Sequence, residues 1–115
     1  MRAIPFATDD IHGGFSEGRG AVRVDGDELV IEVQVKTFGL FDRDPQTFRI
    51  DLTDLDAVEH QRNPFRDCLT LRTTPMDLVT RVPGASEGPL RLKFKRRHRS
   101  DVDDLLDRLD LWLVS

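Results

Sequence analysis

The hydrophobic period changes once along this chain, and that change sets the fold class. From residue 20 to residue 95, apolar residues recur at every second position; from residue 100 they recur at every third or fourth. A period of 2 describes a strand with one buried face, and a period of 3.6 describes a helix with one buried stripe. The sequence is therefore a series of strands closed by a single helix.

The strands read as follows. Val22 and Val24 alternate with Arg23, and Asp25-Gly26-Asp27 is a tight hairpin signal because glycine supplies positive φ. Leu29, Ile31, Val33 and Val35 then share one face, with Glu28, Val30, Glu32, Gln34 and Lys36 on the other. One wet face and one dry face mark an antiparallel sheet. Phe48, Ile50 and Leu52 form a third strand. Leu55 to His60 forms a fourth, with a bulge where the phase slips at Ala57-Val58. Asn63-Pro64 ends it. Leu69 and Leu71 mark a fifth strand, residues 76–82 a sixth, and Leu90, Leu92 and Phe94 a seventh. Turn formers fill residues 83–89. Residues 1–19 read as an irregular arm, with turns at His12-Gly13-Gly14 and Gly18-Arg19-Gly20 and room for one short strand through Phe15.

Val102, Leu105, Leu106, Leu109, Trp112 and Leu113 lie on one stripe of a helix over residues 100–113. Ser100 followed by Asp103 reads as its capping box, and acidic residues in the first turn suit the helix dipole.

Seven half-buried antiparallel strands must hide one face each. Two packed sheets forming a partly open barrel achieve this, and the helix covers the open end. At 115 residues the chain is one domain, and a domain of this size buries roughly 65% of its unfolded surface. A single cysteine, Cys68, excludes an internal disulfide and a zinc site of several thiolates. No apolar run approaches the roughly 20 residues needed to span a bilayer, and Met1 to Ala7 lacks the apolar core of a signal peptide. The expectation is a soluble cytoplasmic protein, complete from Met1.

The element order resembles the pleckstrin-homology-like superfold, and more closely its bacterial and GRAM-like members. The residues that carry the resemblance are the run from Gly20 to Glu32, the segment from Ile50 to Glu59, and the last strand and helix from Leu90 to Trp112. The resemblance implies a non-catalytic binding module. Members that bind phosphoinositides use a basic motif across the first two strands; the corresponding stretch here, Val24 to Glu28, is acidic, which argues against that mode. Other members bind peptides or proteins, or assemble with themselves.

Charge is distributed unevenly. The chain holds 17 basic and 21 acidic residues, a net of −4, which argues against bulk nucleic-acid binding. Six of the basic residues, Arg91, Lys93, Lys95, Arg96, Arg97 and Arg99, cluster around His98. Without them 11 basic residues face 21 acidic ones, a net of −10. The cluster is either an anion-binding patch or a solvated strand face whose charges blunt association. The second reading is preferred, and the absence of aromatics within the cluster gives no support to a stacking platform for single strands.

Other candidates carry less. Leu40 and Phe41, at the tip of a loop from Gly39 to Pro45, are either an interaction point or a flap over the barrel mouth. Asp9, Asp10 and His12 lack any metal-site spacing. Cys68 has no histidine beside it in sequence, and Glu59 and His60 read as an outer strand edge. No metal, cofactor or nucleic acid is expected, and no enzymatic activity. The expected partner is a protein, including another copy of the chain. The alternative is an anion or an acidic membrane surface held by residues 91–99.

Overall fold

The structure is a computed structural model that describes residues 2–11, 16–37, 40–41, 44–73 and 90–114. It is mainly β, antiparallel, with one C-terminal helix. In chain order the strands are β1 (Ile4–Ile11), β2 (Ser16–Asp25), β3 (Glu28–Thr37), β4 (Leu40–Phe41), β5 (Gln46–Asp51), β6 (Leu55–Arg62), β7 (Arg66–Thr73) and β8 (Leu90–Lys95). Short 3₁₀ turns occupy Leu52–Asp54 and Arg96–His98, and α1 spans Arg99–Val114.

The strands belong to one sheet ordered β4-β3-β2-β1-β8-β7-β6, with β5 also on β3. This departs from two separate packed sheets, because β1 and β8 join the halves. They do so at a single ladder position, Ala7 opposite Lys93. β5 and β6 stand at opposite ends of this order, yet the three residues Leu52–Asp54 connect them. Seven strands side by side in a flat sheet would hold them about 29 Å apart, and a three-residue 3₁₀ turn rises about 6 Å. The sheet must therefore curl until its ends nearly meet. Among the described residues β5 and β6 do not pair, so the barrel stays partly open at that corner. Leu52 N–H donates to Asp27 O at 2.9 Å, which fastens the corner to the β2–β3 hairpin.

The concave side is the core. It holds Ile4 and Phe6 from β1, Val22 and Val24 from β2, Leu29, Ile31 and Val33 from β3, and Leu90, Leu92 and Phe94 from β8. Phe6 and Phe94 meet edge to face, with centroids 6.5 Å apart. Val102, Leu105 and Leu109 of α1 are buried in the same cluster, so the helical stripe caps the barrel as the period required.

Several boundaries differ from expectation. The N-terminal arm is not irregular: it contains β1 and the start of β2. Its signal is faint because Pro5 interrupts it and Thr8 replaces a third apolar residue, although Ile4, Phe6 and Thr8 all point inward and are buried. Gly18-Arg19-Gly20 is not a turn but part of β2. The acidic turn at Asp25 to Glu28 consequently joins the second and third strands, not the first two. Leu40 and Phe41 are not a loop tip; their backbones pair with Thr37 and Lys36 of β3. A register shift falls between Leu55 and Ala57, beside the expected bulge. Ser100 does not cap α1, because the helix is entered through the 3₁₀ turn and Ser100 lies in its first turn. The strand over 76–82 and the loop over 83–89 lie outside the described residues, as do His12, Phe15 and the side chains of Asp9, Asp10, Leu40, Phe41 and Trp112.

Two glycines meet backbone demands in the β2–β3 pair. Gly26 has φ +62° in the hairpin turn, a region open to glycine at little cost. Gly20 faces Val33 across β2 and β3, and a Cβ there would lie 1.8 Å from the backbone oxygen of Glu32. Backbone cannot yield as a side-chain tip can. Gly20→Ala is expected to destabilise the fold by about 3 kcal/mol or more, at or above the upper range for overpacking, read as a large fall in melting temperature by circular dichroism. An unchanged melting temperature would show that β2 and β3 do not approach this closely.

Candidate functional site

The seam between β1 and β8 is where the two halves of the sheet join. On one side β1 carries a bulge: the register to β2 shifts between Ala7 and Asp10. There the buried Thr8 hydroxyl accepts the N–H of Gly18 at 2.9 Å. Bulges re-aim side chains and end pairing, and here the β1–β8 ladder consists of the single Ala7–Lys93 position. Two cavities flank it. The first, about 240 Å³, is lined by Arg19, Lys93, Lys95, Arg97 and His98 above a floor that includes Pro5 and Ala7. The second, about 350 Å³, adds Phe65 and Arg66 and shares Ala7, Lys93 and Lys95 with the first. Among the described residues no carboxylate lines either cavity.

Register explains the convergence. Lys93 lies between Cys68 of β7 and Ala7 of β1, and Ala7 in turn faces Arg19 of β2. A small residue thus separates two long cations in one cross-strand row. Arg66 stands directly opposite Lys95. Like charges in that position destabilise a sheet by up to roughly 1 kcal/mol, so the arrangement is not one that stability alone favours. Arg97 Nε donates to His98 Nε2 at 3.3 Å, which orders the two side chains at the rim.

The basic strip of the sequence is therefore divided. Lys93, Lys95 and Arg97 line the first cavity. Arg96 is exposed on the 3₁₀ turn. Arg91 is exposed and its guanidinium lies 3.9 Å from Cys68 Sγ. Arg99 leaves the strip altogether and turns toward a buried carboxylate. Leu40 and Phe41 belong to the far end of the strand order and are not brought to the seam. Three residues that the sequence reading missed, Arg19, Phe65 and Arg66, complete the cavities. Arg19 stood in a presumed turn, and Phe65-Arg66 followed a presumed strand end; only the register places them beside Lys93 and Lys95.

Phe65 is 84% exposed, yet its backbone is fixed. Asn63 Oδ1 accepts the N–H groups of Phe65 and Arg66, each at 2.9 Å, and Asn63 N–H donates to Arg66 O at 3.0 Å. This Asx turn is tied to the helix start, because Arg99 donates to Asn63 O at 2.6 Å.

The same guanidinium reaches Asp67, which is 0% exposed. Arg62 and Arg99 donate to its carboxylate at 3.0 Å each, and His60 Nε2 lies 3.3 Å from Oδ2. Arg62 also donates to Asp103 of α1 at 2.6 Å. His60 is thus not a plain strand edge but part of a charge cluster. Burial pushes the Asp67 carboxyl up, but the hydrogen bonds from Arg62, His60 and Arg99 outweigh it and hold it below its ordinary value.

The chain matches no family model, no curated protein and no solved structure.

The buried carboxylate sets two expectations. Asp67→Asn leaves two guanidinium groups facing a neutral amide and should cost about 3–5 kcal/mol at neutral pH, as for a buried pair that loses one member. Because the folded value lies below the unfolded one, Asp67 stabilises the fold fully above the unfolded value of about 3.9. That contribution is lost as pH falls through the folded value. The stability gap between wild type and Asp67→Asn should therefore narrow as pH falls below about 4, measured by denaturant melts. A gap that does not narrow in acid would remove the ionised carboxylate from this role.

Proposed function

We propose that this protein is a non-catalytic binding module whose seam between β1 and β8 recognises an anionic group. The observation that carries the reading is the gathering of Arg19, Lys93, Lys95 and Arg97 around one cavity, with Arg66 in the adjoining one. Lysines act there as point charges and arginines as planar forks for oxyanions. A concave site with walls of low dielectric strengthens both. The cavity volume corresponds to about eight waters of liquid, enough for a phosphate group with its first hydration partners.

The architecture supports reading the chain as pleckstrin-homology-like. A meander of β1, β2, β3 and β5 is followed by a meander of β6, β7 and β8, with a helix after the last strand packed into the barrel. In this reading the acidic β2–β3 turn is not the binding element. Its Asp25 carboxyl, held below the ordinary value by Arg23 and then Arg49, belongs to a surface ion-pair group. The protein-partner reading is kept in narrower form: the anionic group can sit on a protein. Leu40 and Phe41 form the terminal strand β4, paired to β3 and away from this seam in the strand order. A lone, half-buried free cysteine fits a reducing, cytoplasmic setting, and no described helix is long and apolar enough to cross a membrane.

The test is titration of the ¹⁵N-labelled chain with inorganic phosphate and pyrophosphate at low salt. Saturable shifts are expected at residues 5–7, 19–20 and 93–98, weakening as salt approaches the roughly 0.15 M physiological range. They should disappear in Lys93→Glu/Arg97→Glu, in which Arg97 is exposed and Lys93 half-buried, with a cooperative melt by circular dichroism showing that the variant is folded. Shifts spread evenly over all basic residues, or unaffected by the double variant, would refute the site.

A further inference from the structure

The two cavities differ in chemistry as well as place. The first gathers four cations, Arg19, Lys93, Lys95 and Arg97. The second ends at Phe65, a large apolar side chain left 84% exposed beside Arg66. They share Ala7, Lys93 and Lys95, so they form one groove across the seam. We propose that this groove takes a nucleoside monophosphate, with its phosphate among Arg19, Lys93, Lys95 and Arg97 and its base stacked on Phe65 beside Arg66. The proposal rests on the anion reading and specifies the ligand for it.

Three observations favour this occupant. First, Phe65 is held out rather than tucked in. The Asx turn at Asn63, the return bond from Asn63 N–H to Arg66 O and the Arg99 contact to Asn63 O fix its backbone. With the backbone fixed, only the two side-chain torsions of Phe65 remain to be ordered when a ring stacks on it, and every base offers a π face. Second, both seam strands lie inside the strand order, β1 between β2 and β8, and β8 between β1 and β7. Extended peptides gain affinity by adding to a sheet edge, and the seam offers none, so a compact ligand fits better than a peptide backbone. Third, the cations are local. The chain as a whole is at −4, which repels a long polyanion and leaves recognition to a single phosphorylated unit. A phosphate at one end and a flat ring at the other is the chemistry that uses both cavities at once.

The experiment compares adenosine 5′-monophosphate, ribose 5-phosphate, adenosine and a phosphotyrosine peptide on the full chain, by calorimetry and by shifts in the labelled protein. Adenosine monophosphate should bind at least roughly tenfold more tightly than ribose 5-phosphate, the scale of one stacked base. Phe65→Ala should bring it down to the level of ribose 5-phosphate, whose own binding should not change, and Phe65→Trp should keep the preference. Lys93→Glu/Arg97→Glu should abolish binding of both phosphates. Equal affinity for adenosine monophosphate and ribose 5-phosphate, or a base preference that survives Phe65→Ala, overturns the nucleotide and leaves the anion site standing. Tighter binding of the phosphotyrosine peptide overturns it in favour of a modified protein. If neither phosphate compound binds, the anion reading fails as well.

Discussion

Three residues connect the two ends of this sheet. Leu52–Asp54 must carry the chain from β5, at one end of the strand order, to β6 at the other. No flat sheet satisfies that connection, and the other features of the fold follow from it. Curling brings the inner faces of all the long strands onto one core. It forces β2 and β3 so close at Gly20 that a Cβ has no space beside the Glu32 carbonyl. It also leaves an open end, which the Val102, Leu105 and Leu109 stripe of α1 fills. Strand twist alone gives about 20–25° between neighbours, so a bulge in β1 and another at the start of β6 supply further bending.

The same curl produces the seam. β1 comes from the first meander and β8 from the last, and they meet at the wall where the halves join. A single Ala7–Lys93 position is what this geometry leaves between them. The two cavities fall at this joint, and the surface there is basic because the outer-facing positions of β8 are Arg91, Lys93 and Lys95. Arg66 opposite Lys95 adds like-charge repulsion at the same joint.

How far the sequence revealed this depends on the range of each signal. β3 and β8 were legible because Leu29, Ile31 and Val33, and Leu90, Leu92 and Phe94, alternate within six residues or fewer. The helix was legible because its stripe repeats over three turns. β1 was not, since Pro5 and the Asp9-Asp10 pair disguise a strand whose inward residues, among the described side chains, are Ile4, Phe6 and Thr8. The basic strip was legible as composition but not as a surface. The step from Lys95 into the 3₁₀ turn changes the phase, and Arg99 rotates from the strip toward Asp67. Phe65 and Arg66 are some thirty residues from Lys93 and Lys95 in sequence and adjacent in space. Only register connects them, and local periodicity does not encode which strands become neighbours.

Asp67 helps to hold the turn that carries Phe65. A buried carboxylate with two arginines is an expensive way to hold a hairpin to a helix. Apolar residues of similar volume often do as well or better for stability. Position is what the ionic arrangement adds. Arg99 bonds Asp67 through one part of its guanidinium and the Asn63 carbonyl through another. Arg62 bonds both Asp67 and Asp103. Each arginine therefore locks one end of the Asn63–Arg66 turn against α1, whose own place is fixed by the core. An apolar substitute would fill the same space without directing a hydrogen bond at Asn63 O, and the turn that presents Phe65 would lose that tie to the helix.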